Sequence, residues 1–411
     1  MTARRRKSHR TWCLLPLCLA ASAAPLAAQQ LPTVDVSGEL RLRGEWDGRT
    51  VGVGDDAATL SRIRLGARVG LASWIAAFAQ LQDARAWGTE GSTLTGAGGD
   101  HLDLHQGYAD LGSADRILGR LGRQELSLGD ERLVGTVGWS NTGRVFDGAR
   151  VLGTAGRVQW TAFWMNVAER DSVQAVGLDP QANQGVNDDG WLLGGFASGK
   201  VGGSTAEVTA LYDRNAVTSK SYTVNLRVHG AAAAFLSYDV AGAYQFGPNR
   251  SAWFASGRAG AKLGRGSLAA QLDYLSGDDD PAAGDVKAFN TLYATNHKFY
   301  GYMDYFLNLP GQLDQAGLVD AMLRGTVDPT PATRVRADLH HFRLAEDRGN
   351  GKTLGTELDL VGTWGVAKVA ALEAGGGLFF PSEPITALLP GFFGGTDTTY
   401  WGYAQLTLRW P

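Results

Sequence analysis

The stretch Val34–Trp46, VDVSGELRLRGEW, decides the fold of this 411-residue chain. Its apolar residues fall on one face of an extended chain, and its charged residues, among them Glu39, Arg41 and Arg43, fall on the other face. A period of two over this length predicts a β-strand that is long enough to cross a membrane.

The same alternation returns along the chain. It is present at 63–71, 222–228, 236–246, 268–274 and 400–410. Short turns lie at 247–250 and 328–331, and longer polar stretches lie at 88–100 and 276–285. Short connections at one end of the strands and long ones at the other end are typical of an outer-membrane barrel. Where the alternation shifts phase, within 74–87 and 102–111, we expect a β-bulge or a strand end.

Closure of the sheet follows from the lipid environment. Every backbone N–H and C=O group must be paired within the protein there, and a sheet achieves this only as a closed barrel. Residues 29–411 allow about 21 residues for each of 18 strands with its connection, or about 24 for each of 16. We therefore predict an all-β fold: a single closed antiparallel transmembrane β-barrel of about 18 strands, with 16 as the alternative, short periplasmic turns and longer extracellular loops. A soluble β-sandwich also alternates, but its strands average ~5–6 residues.

The first 28 residues predict a secretory signal peptide. Basic residues at 4–7 and 10 precede an apolar run at 12–24, and a small-residue cleavage site follows at 26–28. We expect residues 1–28 to be removed and residues 29–411 to form the barrel in the bacterial outer membrane. Both cysteines, Cys13 and Cys18, lie in the segment to be removed.

Composition excludes several classes of protein. With 44% hydrophobic residues and 39 aromatic ones, the chain is too apolar to be disordered, and its two cysteines exclude a disulfide-rich scaffold. Without residues 1–28 it carries 33 Lys and Arg against 41 Asp and Glu, a net charge of −8. A nucleic-acid binder needs a basic excess instead, so we expect no nucleic-acid partner. Past residue 28 no apolar run reaches the ~18–20 residues of a spanning helix.

Motifs of catalysis and cofactor binding are absent from the sequence. It has no GxSxG, HExxH or CxxC motif and no phosphate-binding loop. The neighbours His340 and His341 would face opposite sides of one strand and form no metal-ligand cluster. Asp278–Asp280 with Asp285 could bind Ca²⁺, but a solvated external loop explains these carboxylates better. We therefore expect no enzyme activity, no catalytic residue, no cofactor and no metal site.

The charged face of the strands supplies the candidate functional residues. If the apolar face meets lipid, these side chains point into a watery lumen, because a lipid-facing Arg near the membrane midplane costs ~2–4 kcal/mol. The candidates for the pore lining are Arg41, Arg43, Arg62, Arg64, Arg68, Arg258, Arg324, Arg334, Arg336, Glu39 and Glu45. Two hypotheses stay open: the arginines attract carboxylates and phosphates, or they pair with inward carboxylates and stiffen the wall. We also expect Arg334 and Arg336, on a late strand, to lie beside the arginines of the first strands.

A block at 122–148 and a second stretch at 289–304 carry a family resemblance. The first contains Gly122-Arg123-Gln124 and Phe146-Asp147-Gly148, and the second contains Asn296-His297-Lys298-Phe299-Tyr300-Gly301-Tyr302. Together with the strand pattern, this sequence resembles the alginate-export family of outer-membrane barrels over nearly the whole mature chain. The residues that carry the resemblance are Arg123, Gln124, Asp147, His297, Lys298 and Tyr300.

The resemblance implies an 18-stranded monomeric barrel with an arginine-lined, anion-selective constriction through which an acidic, uronic-acid polysaccharide leaves the cell. We therefore expect an outer-membrane channel, or porin, that passes anionic solutes and exports an alginate-like polysaccharide. The alternatives are a general diffusion porin without polysaccharide specificity and a barrel enzyme. The expected partners are outer-membrane lipids, small anionic solutes or an acidic polysaccharide, and periplasmic export proteins.

Overall fold

The computed structural model describes residues 32–50, 56–87, 102–113, 115–168, 190–215, 219–282, 284–393 and 395–411. The predicted signal peptide at 1–28 and the polar stretch at 88–100 lie outside the described residues. Within the described ranges, none of the helices is both long and apolar enough to cross a bilayer.

Eighteen strands make up nearly all of the regular structure. The first nine are β1 (Thr33–Gly48), β2 (Asp56–Ala72), β3 (Ile75–Trp87), β4 (Leu102–Gly112), β5 (Ile117–Gln124), β6 (Phe146–Ala155), β7 (Val158–Ala168), β8 (Gly190–Val201) and β9 (Ser204–Asn215). The second nine are β10 (Ser219–Ala233), β11 (Leu236–Gly247), β12 (Arg250–Leu263), β13 (Gly266–Leu275), β14 (Leu318–Thr330), β15 (Thr333–Arg343), β16 (Thr353–Ala367), β17 (Ala370–Pro381) and β18 (Thr399–Trp410). Helical structure is limited to 3₁₀ turns at Asn296–Lys298 and Gly311–Leu313 and to helix α1 (Glu383–Leu388).

The sheet closes on itself. Each strand pairs antiparallel with its neighbours in sequence, and β1 pairs with β18 over a register that runs from Gly38 opposite Trp410 to Gly48 opposite Tyr400. The predicted closed antiparallel barrel is therefore confirmed, with 18 strands rather than 16. The phase shift predicted near the third strand is also present, since the β3–β4 register slips between Gln80 and Leu81.

The outer surface of the barrel is apolar. Large side chains of alternate strand residues, such as Leu65, Leu226 and Leu272, are at least half exposed, as expected for a lipid-facing wall. Exposed tryptophans mark both edges of this wall, as aromatic girdles do at membrane interfaces. They are Trp46, Trp87 and Trp253 at one edge and Trp74, Trp364 and Trp410 at the other.

The two ends of the barrel differ in their connections. The start of β1, the end of β18 and eight short connections lie at one end, which we call the turn end. The opposite end, the loop end, carries the longer connections. Its exceptions are the two-residue turn at Pro248 and Asn249 and the three-residue connection between β9 and β10. In outer-membrane barrels the short turns are periplasmic, so the turn end faces the periplasm.

The hydrophobic core lies inside the barrel. Three connections from the loop end fold into the lumen: residues 125–145, which we call the strap, residues 276–317 without 283, which we call the inward loop, and residues 382–398 without 394, which include α1. Their apolar side chains, such as Leu133, Tyr305 and Phe306, pack against inward residues of the wall, such as Phe254 and Phe379. This is why several inward positions near the loop end, such as Phe254, Phe342 and Phe379, are apolar, although other inward positions there are polar.

Candidate transport lumen

The strap crosses the lumen from one wall to the opposite wall. Near its start, Asp130 lies 3.6 Å from the guanidinium of Arg227 on β10. Eight residues further on, the carbonyl oxygens of Gly138 and Ser140 accept hydrogen bonds from Arg41 on β1. Because β1 and β10 are nine strands apart in a closed sheet of 18, the two contacts lie on opposite sides of the barrel.

Three buried arginines hold the far end of the strap. Arg41 donates to the carbonyl oxygens of Gly138 at 3.0 Å and Ser140 at 2.8 Å. Arg62 on β2 donates to the same two oxygens at 3.2 and 3.0 Å, and Arg43 donates to the carbonyl oxygen of Trp139 at 2.9 Å. A planar guanidinium group has five N–H donors, so one arginine can donate hydrogen bonds to several carbonyl oxygens of the strap at once.

The carboxylates of the first strand complete this arginine cluster. Glu39 accepts hydrogen bonds from Arg62 at 3.0 and 2.6 Å, and Glu45 lies 2.7 Å from Arg43. Arg64 donates to Glu125 at 3.1 Å, at the start of the strap. Burial alone would raise the pKa of the Glu125 carboxyl, but the hydrogen bond with His105 and the charge of Arg64 outweigh it and lower this pKa. These arginines are therefore engaged with the strap and with acidic partners.

The near end of the strap rests on a buried ion pair. Arg132 donates to Asp273 on β13 at 2.6 Å, and both side chains are almost fully buried. Ser256 on β12 donates to the other carboxylate oxygen of Asp273 at 2.6 Å. Burial disfavours the charged form of Arg132, but the negative charges of Asp273 and Asp130 outweigh it, so the pKa of Arg132 lies above its ordinary value. Arg132 stays charged and ties the strap to the wall.

The strap and the inward loop form one packed unit. The backbone of Tyr293 accepts a hydrogen bond from Gly135 and donates one to Leu133, each at 2.9 Å, as in a short parallel β-bridge. Between the two segments, the ring of His297 stacks on Trp139 at 4.4 Å and on Tyr302 at 4.5 Å. Such ring pairs add ~0.5–1.5 kcal/mol each beyond their buried area.

A cavity of about 340 Å³ lies between this unit and the wall formed by β10–β14. Its charged lining residues are Arg132, Arg227, Arg258, Lys298, Arg324, Asp130 and Asp239. Arg227 is bound by Glu207 at 2.9 Å and Asp239 at 2.5 Å, and Arg324 is bound by Asp338 at 2.6 Å. Arg258 forms no ion pair with any carboxylate in the part of the chain that the structure describes. We call this cavity the inner chamber; its lining carries five cations and two carboxylates.

A larger cavity of about 800 Å³ opens at the turn end, between the turns that follow β10, β12 and β14. Its charged lining residues are Arg258, Lys262, Arg265, Arg334 and Asp328. Arg258 lines both cavities, so the two adjoin at this side chain. We call the larger cavity the rim cavity.

The predicted pore residues thus divide into groups. Arg41, Arg43, Arg62 and Arg64 hold the strap, and Arg68 pairs with Asp110 at 2.9 Å. Arg258 and Arg324 line the inner chamber, and Arg334 lies at the turn end, paired with Asp328 at 2.7 Å. Arg336 stacks on Tyr302 at 4.9 Å and lies 3.3 Å from Asp338.

The prediction that Arg334 and Arg336 lie beside the arginines of β1 and β2 is wrong. Both residues are on β15, and three strands, β16–β18, separate β15 from β1. When the sheet closes, β1 pairs with β18. Because β15 is the fourth strand from the end of the chain, it is too far around the barrel to lie beside β1.

The residues of the family resemblance lie at the loop end and in the inward segments. On the outer face, Arg123 and Asp147 form a bidentate ion pair, with hydrogen bonds of 2.8 and 3.0 Å. Gln124 is buried, and its side-chain amide donates to the carbonyl oxygen of Gly122 at 3.1 Å. Lys298 donates to the carbonyl oxygen of Asp130 at 3.0 Å. Tyr300 is buried beside Arg132, with 3.4 Å between its hydroxyl and the guanidinium, and burial raises the pKa of this hydroxyl.

Sequence reasoning missed the role of Trp139, Arg132 and the carboxylates of the later strands. The signal that could have indicated the strap is the loss of alternation between residues 124 and 146, over a length too great for a turn.

In the acidic stretch after β13, the Asp278 carboxylate is buried and accepts hydrogen bonds from the backbone N–H groups of Asp280 and Lys287. Asp279, Asp280 and Asp285 are exposed. Across the described ranges, no three His, Cys, Asp or Glu side chains are grouped so that they could hold a metal ion.

A family model described as "Alginate export" matches residues 33–387, which is most of the barrel. The chain belongs to the alginate export family. No curated protein matches the sequence of this family member. Its fold and family are those of outer-membrane channels, so it resides in the bacterial outer membrane.

Solved structures share the fold of this alginate export family member at low sequence identity. OccAB1 of Acinetobacter baumannii is 13% identical, with a TM-score of 0.63 over 92% of this chain and 96% of that one. OccK5 (OpdH) of Pseudomonas aeruginosa is 15% identical, with a TM-score of 0.61 over 92% and 98%. OccK2 (OpdF) of Pseudomonas aeruginosa, solved in complex with glucuronate, is 12% identical, with a TM-score of 0.59 over 92% and 95%. At these identities the likeness shows the barrel fold alone.

Proposed function

We propose that this protein is a passive channel that lets anionic solutes, including acidic uronate chains, cross the outer membrane without catalysis or a cofactor. The observation that carries the proposal is Arg258. It is a cation on the inner wall with no acidic partner among the described residues, and it lies where the inner chamber adjoins the rim cavity. A carboxylate that passes through the lumen can therefore form hydrogen bonds to its guanidinium.

The surroundings of Arg258 support the same reading. In the inner chamber five cations face two carboxylates, so an anion that enters it meets an attractive potential. Arg227 and Arg324 are held by carboxylates of the wall and keep a fixed orientation. A site in which one cation has no acidic partner among the described residues binds an anion weakly enough to let it move on, which conduction requires.

The strap argues against a wide, unselective pore. It divides the lumen near its middle and is bound at both ends by buried charged groups. A solute must therefore pass close to charged side chains, where their field is least screened by water. OccK2, which shares the fold, was solved with glucuronate, a single uronate unit, and this supports carboxylated sugars as the solute class.

The test is ion selectivity in planar bilayers. With a salt gradient across the membrane, we expect a reversal potential that indicates preference for anions. Arg258→Ala should reduce the ratio of anion to cation permeability by roughly threefold, which corresponds to a loss of about 0.6 kcal/mol of attraction. The matched control is Arg123→Ala, because that arginine lies on the outer face, in an ion pair with Asp147.

Three outcomes would contradict the proposal. Equal permeability to anions and cations in the unaltered protein would show that Arg258 does not face the conducting path. If neutral oligosaccharides of the same size pass as fast as acidic ones, the protein is a general diffusion porin. Absence of any conductance would favour a closed barrel with another role.

A further inference from the structure

Two carboxyl groups are buried side by side on the inner wall of the barrel. Glu357 and Asp359 are two positions apart on β16, so their side chains point to the same, inward face. Their exposed fractions are 0% and 1%. The two carboxyl groups form a hydrogen bond with each other. Because an ionised carboxylate has acceptors only, this bond requires a proton on one of the two groups.

The pair holds the inward loop by its backbone. Met303 donates its N–H to Oε1 of Glu357 at 2.8 Å, and Tyr302 donates its N–H to Oδ2 of Asp359 at 3.3 Å. The Asp359 carboxylate also packs against Gly377 on β17, where a Cβ would leave no room for its other oxygen. The charge on this pair therefore acts directly on the attachment of the inward loop to the wall.

The second oxygen of each carboxyl group receives no donor from another residue. Oε2 of Glu357 and Oδ1 of Asp359 are buried, and neither accepts a hydrogen bond from any N–H or O–H group that the structure describes. Other buried carboxylates of the wall, such as Asp273 and Asp338, bind arginines instead. A buried acceptor without a donor is costly, and a proton shared between the two carboxyl groups supplies the missing donor.

The charged and titratable groups around the pair lie on several elements. On one side, β17 places the uncharged Phe379 and Gly377 opposite the pair. The groups on the other elements are Asp338 (bound by Arg324), His340 (bound by Asp320) and Arg336 on β15, His297 and Asp304 of the inward loop, Arg49 just after β1, and the exposed Glu383 of α1. Histidine is the side chain that gains charge near neutral pH, and a proton on either ring adds positive charge near the pair. Acid therefore acts on the pair and on its histidine neighbours in the same direction.

From these observations we propose that Glu357 and Asp359 form a proton-binding site that controls conductance. With one proton between them they hold the inward loop in the lumen, and loss of this proton at alkaline pH releases the loop. Two negative charges that share a buried site repel each other, and both then need donors that the dry site does not supply. Water must enter between β16 and the inward loop to solvate them.

Release of the loop would widen the conducting path. Lys298 and Phe299, a few residues before Met303 in the same loop, line the inner chamber. A shift of this segment therefore changes the width of the chamber. The inference goes beyond the proposed function, because it concerns how much the channel conducts and not which ions it prefers.

The first test is single-channel conductance as a function of pH. We expect the conductance of the unaltered protein to rise about twofold between about pH 6 and about pH 9. Glu357→Gln should keep the low conductance over the whole range, because its amide oxygen can still accept the Met303 N–H while its NH₂ group takes the place of the shared proton. The matched control is Glu373→Gln on β17, a wall carboxylate that accepts hydrogen bonds from Tyr403 and Thr363, and it should keep the pH response.

The second test detects the proton itself by infrared spectroscopy. A protonated carboxyl group has a C=O stretching band that an ionised carboxylate lacks. At pH 7 the unaltered protein should show this band, and the difference spectrum against Glu357→Gln should contain it. The Glu373→Gln variant should retain the band. Asp359→Asn is a second variant for both tests, because its amide can donate to Glu357 in the same way.

The outcomes separate this inference from the proposed function. If neither Glu357→Gln nor Asp359→Asn removes a protonated-carboxyl band, the pair holds no shared proton and the inference is wrong. If the band is lost but the conductance of the unaltered protein does not depend on pH, the pair does not control the inward loop. A pH response that persists in both variants would assign the control to other groups, such as His297. A channel without anion preference that still shows the band and the pH response would overturn the proposed function and leave this inference standing.

Discussion

The indole of Trp139 and the imidazole of His297 lie face to face, with ring centroids 4.4 Å apart and 8° between the ring planes. Trp139 belongs to the strap and His297 to the inward loop, so one stacked pair joins two connections that are 158 residues apart in sequence. The guanidinium of Arg43 lies over the ring of Trp139, 4.2 Å from its centroid, and the ring of Tyr302 stacks on His297 at 4.5 Å. The stack continues from Tyr302 to Arg336 on β15, so it ties β1 to β15 through the lumen.

Removal of the Trp139 ring should loosen both inward segments. We expect Trp139→Ala to lower the free energy of unfolding by about 3 kcal/mol, the usual cost of deleting a packed aromatic ring, and to raise single-channel conductance. Urea unfolding and planar-bilayer recordings measure the two effects. Trp364→Ala, which removes a lipid-facing tryptophan at the turn end, is the control and should leave the conductance unchanged. An unaltered conductance in Trp139→Ala would mean that the stack does not restrict the path.

The buried pair of Arg132 and Asp273 should couple strongly in a double-mutant cycle. Each single variant, Arg132→Ala or Asp273→Asn, should cost about 3–5 kcal/mol, because it leaves a buried partner without compensation. The double variant should cost less than the sum of the two. The exposed pair of Arg123 and Asp147 is the control, and its coupling should stay below about 1 kcal/mol. Additive effects at Arg132 and Asp273 would indicate that the strap is not anchored there.

Gly301 should resist substitution for two separable reasons. Its φ of +81° disfavours residues with a side chain, and a Cβ at this position would run into the carboxylate of Glu357, which accepts the backbone N–H of Met303. Gly301→Ala should therefore destabilise the inward loop, with faster proteolysis of the folded barrel. Gly351→Ala is the matched control, because Gly351 has a φ of +89° but open space around it, and should cost only the ~1 kcal/mol of the backbone conformation. If Gly301→Ala and Gly351→Ala lose equal amounts of stability, the contact with Glu357 does not contribute to the effect.

Acid should destabilise the attachment of the strap, because Glu125 becomes protonated. Its pKa in the folded protein is lowered below the ordinary value of 4.5, because the hydrogen bond with His105 and the charge of Arg64 outweigh burial. A lowered pKa gives stability that is present above 4.5 and is lost as the pH falls through the folded-state value. Glu125→Gln should thus be less stable than the unaltered protein by a constant amount from pH 7 to about 5, and the difference should shrink below pH 4.5. Urea unfolding across this range measures it, and a difference that persists unchanged at pH 3 would contradict the assignment.

The sequence by itself determined the barrel. Alternation is a local property, because successive side chains of a strand point to opposite faces, so Val34–Trp46 already indicates which residues meet lipid and which meet the interior. The demand that lipid-embedded backbone be fully paired then forces closure, and chain length limits the number of strands. The same alternation predicts that the side chains of Arg41, Arg62 and Arg258 point inward, but it does not predict which groups they contact.

Only the tertiary structure decided what those inward residues do. Arg41 binds oxygens of residues 97 to 100 positions later in the chain, which no short-range pattern encodes. The path of the strap across the lumen determines that Arg41 and Arg62 are engaged in holding it, whereas Arg258 lies between two cavities and forms no ion pair with any described residue. The alternation along a strand determines which face of the sheet a side chain occupies. Which charged groups meet depends on distances across the barrel, and all 18 strands together determine those distances.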